Sequence, residues 1–160
     1  MLDALARAVE QRQCPLHGAL FVKRVGEPVP AFQLPDGSGR IVSQTSLLGE
    51  RLLLVFWNPA SRHCQQLLAA LQSWERQASR DAPRLVVVSS AIASPNGTAA
   101  LESTVLLDEA TEVGRAIGAP GAPAAVLIDT DGRIASPLAI GRRAVRALLE
   151  ELQAGVGAVA

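Results

Sequence analysis

Residues 52 to 57 read Leu-Leu-Leu-Val-Phe-Trp, an unbroken apolar run with no polar position to give to solvent. The run is too short to stand as a helix and too apolar for a sheet edge. It therefore predicts a central strand buried on both faces, with cover above and below. The chain then turns at Asn58-Pro59-Ala60 and takes up a helical pattern as far as Glu75. Leu67, Leu68, Leu71 and Trp74 fall on one side of that helix, and Gln65, Gln72 and Arg76 on the other. Ser61 stands where the helix should begin, and Cys64 follows within its first turn. A helix start offers free backbone N–H groups and the positive end of the macrodipole, which favour a thiolate.

The rest of the chain continues the alternation. Residues 2–12 predict a short amphipathic helix with Leu2, Leu5, Ala6 and Val9 on one face. That face packs on the domain or pairs with a second copy to make a homodimer; the sharper alternative is a partner-docking helix. Cys14-Pro15, Gly18, Gly26, Pro28 and Pro30 break the next stretch into an irregular lead-in. Phe32 and Leu34 are expected to face the core from a short strand, which turns at Asp36-Gly37-Ser38-Gly39 into Ile41-Val42. Leu85–Val88 predicts a second buried parallel strand and Val105–Leu107 a shorter one; Asp108-Glu109 start a helix running to about Ile117. Ala124–Ile128 is the next strand, with a tight turn at Asp129–Gly132 and an antiparallel partner at Arg133-Ile134-Ala135. A closing helix spans Arg142 to Gln153, burying Val145, Leu148 and Leu149. The organisation expected is a lead-in over 1–24, one α/β domain over 25–154 and a flexible tail over 155–160.

Composition excludes several function classes. With 160 residues, 49% of them hydrophobic, the chain has enough material for one packed core. Fifteen acids balance fifteen bases, so charge gives no reason to expect nucleic acid or an anionic membrane as partner. No stretch approaches the length of a membrane span, and Asp3 and Arg7 interrupt any signal-peptide layout, so the chain reads as soluble and cytoplasmic. Cys14, His17, His63 and Cys64 are the residue types of a zinc site. His63 and Cys64, however, diverge by about a hundred degrees on a helix, so no metal is implied. Asp36–Gly39 lacks the lysine and length of a phosphate loop, and Gly114, Gly118 and Gly121 follow a helix instead of opening one, so no cofactor is implied either. Asp108, Glu109 and Glu112 read as a helix-start charge set.

The strand, the Phe56-Trp57 pair, the short turn and Ser61-Arg62-His63-Cys64 resemble the active-site junction of the thioredoxin-like superfamily, in particular its redoxin group (AhpC/TSA and TlpA-like thiol-disulfide proteins). The phrase from Val25 to Leu34 resembles the opening of redoxin domains, and Gly121-Ala122-Pro123 before the strand Ala124–Ile128 matches the family's cis-proline position. The resemblance covers roughly residues 25 to 152. It implies a thioredoxin-like α/β fold: a central mixed sheet flanked by helices, with an N-terminal β-hairpin and, here, a short N-terminal helix. It also implies a groove beside the cis-proline, lined by Trp57, Pro59, Arg62, His63, Ala122 and Pro123, where a protein or peptide partner docks. Many TlpA-like proteins carry a leader or membrane anchor; a periplasmic or anchored origin would follow if such a segment had been removed.

In that family the first cysteine attacks a substrate disulfide and the second resolves the mixed disulfide. At the first position this chain has Ser61. A hydroxyl ionises far above neutral pH and forms no disulfide, so the two-thiol cycle is closed at Ser61 and Cys64, and the site reads as degenerate. The buried acid that thioredoxin carries two residues before this tryptophan is Val55 here. Serine instead suits a helix N-cap. Cys64 then reads foremost as a small buried hydrophobe; the alternative is a thiolate stabilised by the helix end, with Arg62 and His63 adding positive potential. Ser61-x-x-Cys64 matches the second half of the peroxiredoxin motif, while Pro59 stands two residues from the serine instead of four. Cys14 could resolve a disulfide with Cys64 only if the lead-in folded over this face. The leading expectation is a binding or accessory module, and the alternative a single-cysteine peroxidase or monothiol enzyme using Cys64, assisted by Ser61.

Overall fold

The apolar run forms strand β3, Leu52–Trp57, and all six of its residues are buried. The chain is represented by a computed structural model that describes residues 23–91 and 101–159. The helix expected over residues 2–12, its pairing role, and Cys14 and His17 lie outside the described residues. Ahead of β3 come a two-stranded hairpin, β1 (Gln33–Pro35) and β2 (Ile41–Ser43), and a 3-10 turn at Gln44–Leu47. After it follow α1 (Arg62–Gln77), β4 (Arg84–Ser89), β5 (Thr104–Leu107), α2 (Glu112–Ile117), β6 (Ala124–Ile128), β7 (Ala139–Ile140) and α3 (Arg142–Val159).

The main sheet has the order β5-β4-β3-β6-β7, so β3 is its centre. It pairs in parallel with β4, Leu52 opposite Arg84 through Trp57 opposite Ser89, and antiparallel with β6, Leu52 opposite Ile128 through Phe56 opposite Ala124. Successive side chains of a strand point to opposite faces, and β3 feeds two cores accordingly. Leu52, Leu54 and Phe56 join Val86, Val88, Leu106, Val113 and Ile117 on one face. Leu53, Val55 and Trp57 meet Leu67, Leu71 and Trp74 of α1 and Val145, Leu148 and Leu149 of α3 on the other. The predicted inner side of α1 is thus its buried side, with Leu68 half-buried at the margin and Cys64 added to it. The hairpin docks on the β5 edge through a bridge between Asp36 and Leu106, which shields that edge from further pairing.

Three elements depart from the sequence expectation. Arg133–Ala135 does not form the partner strand of β6, but bridges it only at Ile134, opposite Ile128. The ladder is interrupted because the Leu127 N–H donates to the Ser136 hydroxyl, 3.0 Å away, and Pro137 has no N–H to offer. Pairing resumes at Ala139–Ile140. The second departure is the start of α2 at Glu112 instead of Asp108. Asp108, 5% exposed, accepts from the N–H groups of Glu112 and Val113 at 3.0 and 2.9 Å, while Thr111 adopts a left-handed φ of 54° between them. The carboxylate therefore caps the helix from one turn away, across a strained residue. The third is α3, which continues past Gln153 to Val159. Gly155 and Gly157 each cost about 1 kcal/mol against alanine, but no proline stands there to end the helix.

Because Leu71 is fully buried between β3 and α3, Leu71→Ala should lower unfolding stability by about 2–5 kcal/mol. Arg76→Ala, on the exposed side of the same helix, should change it by no more than about 0.5 kcal/mol. Urea denaturation of the two variants beside the parent checks both.

Candidate functional site

At the end of β3 the chain leaves the sheet through Asn58-Pro59-Ala60, a turn held by its own polar groups. The Asn58 side-chain oxygen accepts from the Ala60 N–H at 2.9 Å, and its carbonyl accepts from the Ser61 N–H at 2.9 Å. Ser61 is extended (φ −81°, ψ 125°) and caps α1: its hydroxyl accepts from the Cys64 N–H at 3.4 Å. Gln65, one turn into the helix, donates to the Pro59 carbonyl at 2.9 Å and ties the turn down from above.

Cys64 has no exposed surface. Its side chain faces the core shared by Trp57, Leu67 and Ala125, and its sulfur accepts from the Asn58 N–H at 3.5 Å. Burial pushes the thiol above its ordinary pKa; the Asn58 N–H and the Ser61 hydroxyl oppose that push without overcoming it. Burial thus outweighs the two hydrogen-bond contacts at this sulfur.

The other predicted site residues separate into two groups. Trp57 and Ala122 reach a common cavity of about 250 Å³ at the ends of β3 and β4, walled on the far side by Asp108, Thr111 and Arg115. Trp57 is only 1% exposed, so it forms a buried wall of this cavity and not an open groove surface. Its indole N–H has no hydrogen-bond acceptor among the described residues. The Ala122–Pro123 peptide bond is cis, Ala122 is half-buried, and the buried Pro123 presents its carbonyl to the Gly141 N–H at 2.9 Å. Arg62 and His63 lie on the exposed side of the first turn of α1, Pro59 is half-buried beneath them, and none of the three lines the cavity.

Asn58, Thr111, Arg115 and Gly141 were not foreseen as site residues. Asn58 was legible as a turn residue, but its N–H bond to Cys64 depends on the helix folding back over the strand end. Thr111 carries no sequence mark of a left-handed backbone, and Arg115 reaches the cavity only because α2 starts late. Among the described residues no group of three or more His, Cys, Asp or Glu is placed to hold a metal ion, and no helix is long and apolar enough to cross a membrane.

Comparison with known proteins agrees with this geometry. Residues 25–136 match the family model described as AhpC/TSA family. Among solved structures the chain is similar to a putative thiol:disulfide interchange protein DsbE from Chlorobium tepidum, with a TM-score of 0.65 and 23% identity over 81% of this chain and 95% of that one. It is similar also to the peroxidoxin BcpB from Mycobacterium tuberculosis (TM-score 0.67, 18% identity, 82% and 97% of the chains). A putative thioredoxin from Neisseria meningitidis matches at a TM-score of 0.61 and 26% identity, over 80% and 89% of the chains. Comparison with curated proteins finds no significant match. A family match over most of the chain, the five-stranded mixed sheet with its front hairpin, and the Ser61–Cys64 helix start beside Pro123 together identify the chain as a member of the AhpC/TSA family, a redoxin of thioredoxin-like fold related to thiol-disulfide oxidoreductases and peroxiredoxins.

Proposed function

We propose that this redoxin has lost two-thiol chemistry and works as a binding or accessory module, docking a protein or peptide partner in the groove beside Pro123. The observation that carries the reading is the placement of Cys64: fully buried behind Ser61, with its pKa raised, it offers no nucleophile to anything lying in that groove. Ser61, in the position where the family resemblance implies the attacking cysteine, has a sufficient role as the cap of α1. The groove itself does not depend on thiols. Ala122, the cis peptide bond and the anchoring of the Pro123 carbonyl by Gly141 remain available to a docked chain.

A second reading rests on two specific contacts. The Asn58 N–H and the Ser61 hydroxyl both lower the Cys64 pKa, as they would around a single peroxidatic or monothiol cysteine. Resemblance to the mycobacterial peroxidoxin extends to fold alone. Since burial is the largest influence on the thiol, the binding reading stands ahead.

Alkylation by iodoacetamide in a Cys14→Ala background separates the two. The native protein should label at Cys64 slowly throughout the neutral range, with a midpoint above that of an ordinary thiol, and rapidly once unfolded. Rapid native labelling with a midpoint below the ordinary value would replace the binding module with the single-cysteine enzyme. A complementary gain of function is expected from Ser61→Cys. A helix cap and the residue three further on have Cα atoms about 5–6 Å apart, within the Cα range of disulfides. The variant should therefore form an intramolecular disulfide with Cys64 under mild oxidation, read as loss of two thiols by titration, while the parent forms none there.

A further inference from the structure

We infer that the cavity at the ends of β3 and β4 is a binding site for a small organic carboxylate, an anion whose apolar body is a single ring or a short branched chain. Such a ligand lies on the α2 side of the sheet end, and its binding does not depend on a partner docking beside Pro123. The cavity has an apolar floor of the buried Phe56, Val88 and Ala119, with the exposed Pro120 at its edge. Its volume of about 250 Å³ lies just below the roughly 300–1,000 Å³ of sites for drug-sized ligands. A dry apolar cavity of about 150 Å³ holds a benzene ring. The additional space here admits such a ring, or a branched chain, together with one carboxylate.

Among the described residues Arg115 is the only cation in the cavity lining, and it is exposed at the rim. Its guanidinium is anchored by two backbone carbonyls: Nε donates to Thr111 at 3.4 Å and Nη2 to Ala110 at 2.8 Å. Among the described residues no carboxylate pairs with it, and Nη1 has no acceptor. An arginine fixed by neutral carbonyls, with donors left over, is preorganised for a planar anion. The carboxylate in the cavity wall is engaged elsewhere. Asp108, 5% exposed, accepts from the N–H groups of Glu112 and Val113 at 3.0 and 2.9 Å. Those bonds also occupy the start of α2, so an incoming anion is left to Arg115 and not to the helix end.

The turn that carries these groups is strained. Thr111 is β-branched and has a φ of 54°, a region such residues seldom enter. The surrounding bonds hold it there: the Asp108 N–H donates to the Ser89 carbonyl at 2.7 Å, and the Thr111 N–H donates to the Asp108 carbonyl at 3.0 Å. The Thr111 carbonyl accepts from the Arg115 N–H at 3.1 Å as well as from Nε. The strained residue thus supplies a carbonyl that anchors the guanidinium, and strain kept in a binding wall is what ligand clamps show. An amine fits less well, since both oxygens of Asp108 already have donors and lie in the wall instead of at the rim. Inorganic phosphate would meet Arg115 but leave the apolar floor uncovered.

The test is an NMR titration of the backbone amides with phenylacetate, isocaproate, phenethyl alcohol, phenethylamine and inorganic phosphate. Both carboxylates should shift the amides of Gly114, Arg115 and Ala119, with a dissociation constant of about 0.1–1 mM. The alcohol and the amine should bind at least about tenfold more weakly. Arg115→Gln should weaken the carboxylates by about tenfold, whereas Arg80→Gln, on the exposed segment beyond α1, should change nothing. A Cβ added at Gly114 would stand 3.6 Å from Phe56 and 3.9 Å from Ala119, in ordinary contact. Gly114→Leu should therefore fill the cavity and abolish binding; if that variant does not fold, Arg115→Gln decides. Equal binding of the alcohol would overturn the carboxylate, and stronger binding of the amine would hand the site to Asp108 and overturn it as well. Phosphate shifting the Arg115 amide as strongly as the carboxylates do would reduce the site to a surface anion contact and overturn the ligand class. No shift from either carboxylate at about 20 mM would remove the site.

Discussion

Double-sided pairing of β3 is the constraint on which the rest depends. A strand that is hydrogen-bonded along both edges and buried on both faces has no freedom of register, since a slip by one residue would move Trp57 and Phe56 to opposite cores. That register fixes what gathers at its end. Trp57 lies opposite Ser89 and Phe56 opposite Ala124, so the turn at Asn58, the end of β4 and the loop before Pro123 are brought to one place. The candidate site is thus a consequence of sheet geometry before any of its side chains makes a specific bond.

At that junction two general effects compete over one sulfur. The start of a helix favours a charged thiolate, and here the Asn58 N–H adds a direct bond to it. Burial favours the neutral thiol and outweighs the Asn58 and Ser61 contacts to the sulfur. Composition and spacing alone could not weigh these terms, because both follow from the same residues. Cys64 is buried because it faces Leu67 and Trp57, a matter of helix phase set by Leu67, Leu71 and Trp74.

How far the molecule was legible in its sequence follows from the range of the interactions involved. Elements defined by their own periodicity, such as β3, β4, β6 and α1, were readable because apolar spacing alone dictates them. So was the Ser61 cap, a local bond across three residues. Features set by a side chain replacing a backbone partner were not. Ser136 intercepts the Leu127 N–H and displaces the expected strand toward Ala139; Asp108 caps α2 from across a turn and moves its start to Glu112. Trp57 illustrates the same limit at the site. Its place at the end of β3 was foreseeable from the motif, whereas its near-complete burial and unpaired N–H depend on how α1 and α3 pack over that face of the sheet.

Serine at position 61 has a structural role of its own at this junction. A cap needs an oxygen that accepts from the first turn, and serine supplies one better than a thiol does. At position 61 the hydroxyl therefore secures the start of α1 through its bond to the Cys64 N–H. The neighbouring parts of the junction are the Ala122–Pro123 bond, Gly141 on the Pro123 carbonyl, and the cavity at the end of β3. None of these contacts uses a thiol.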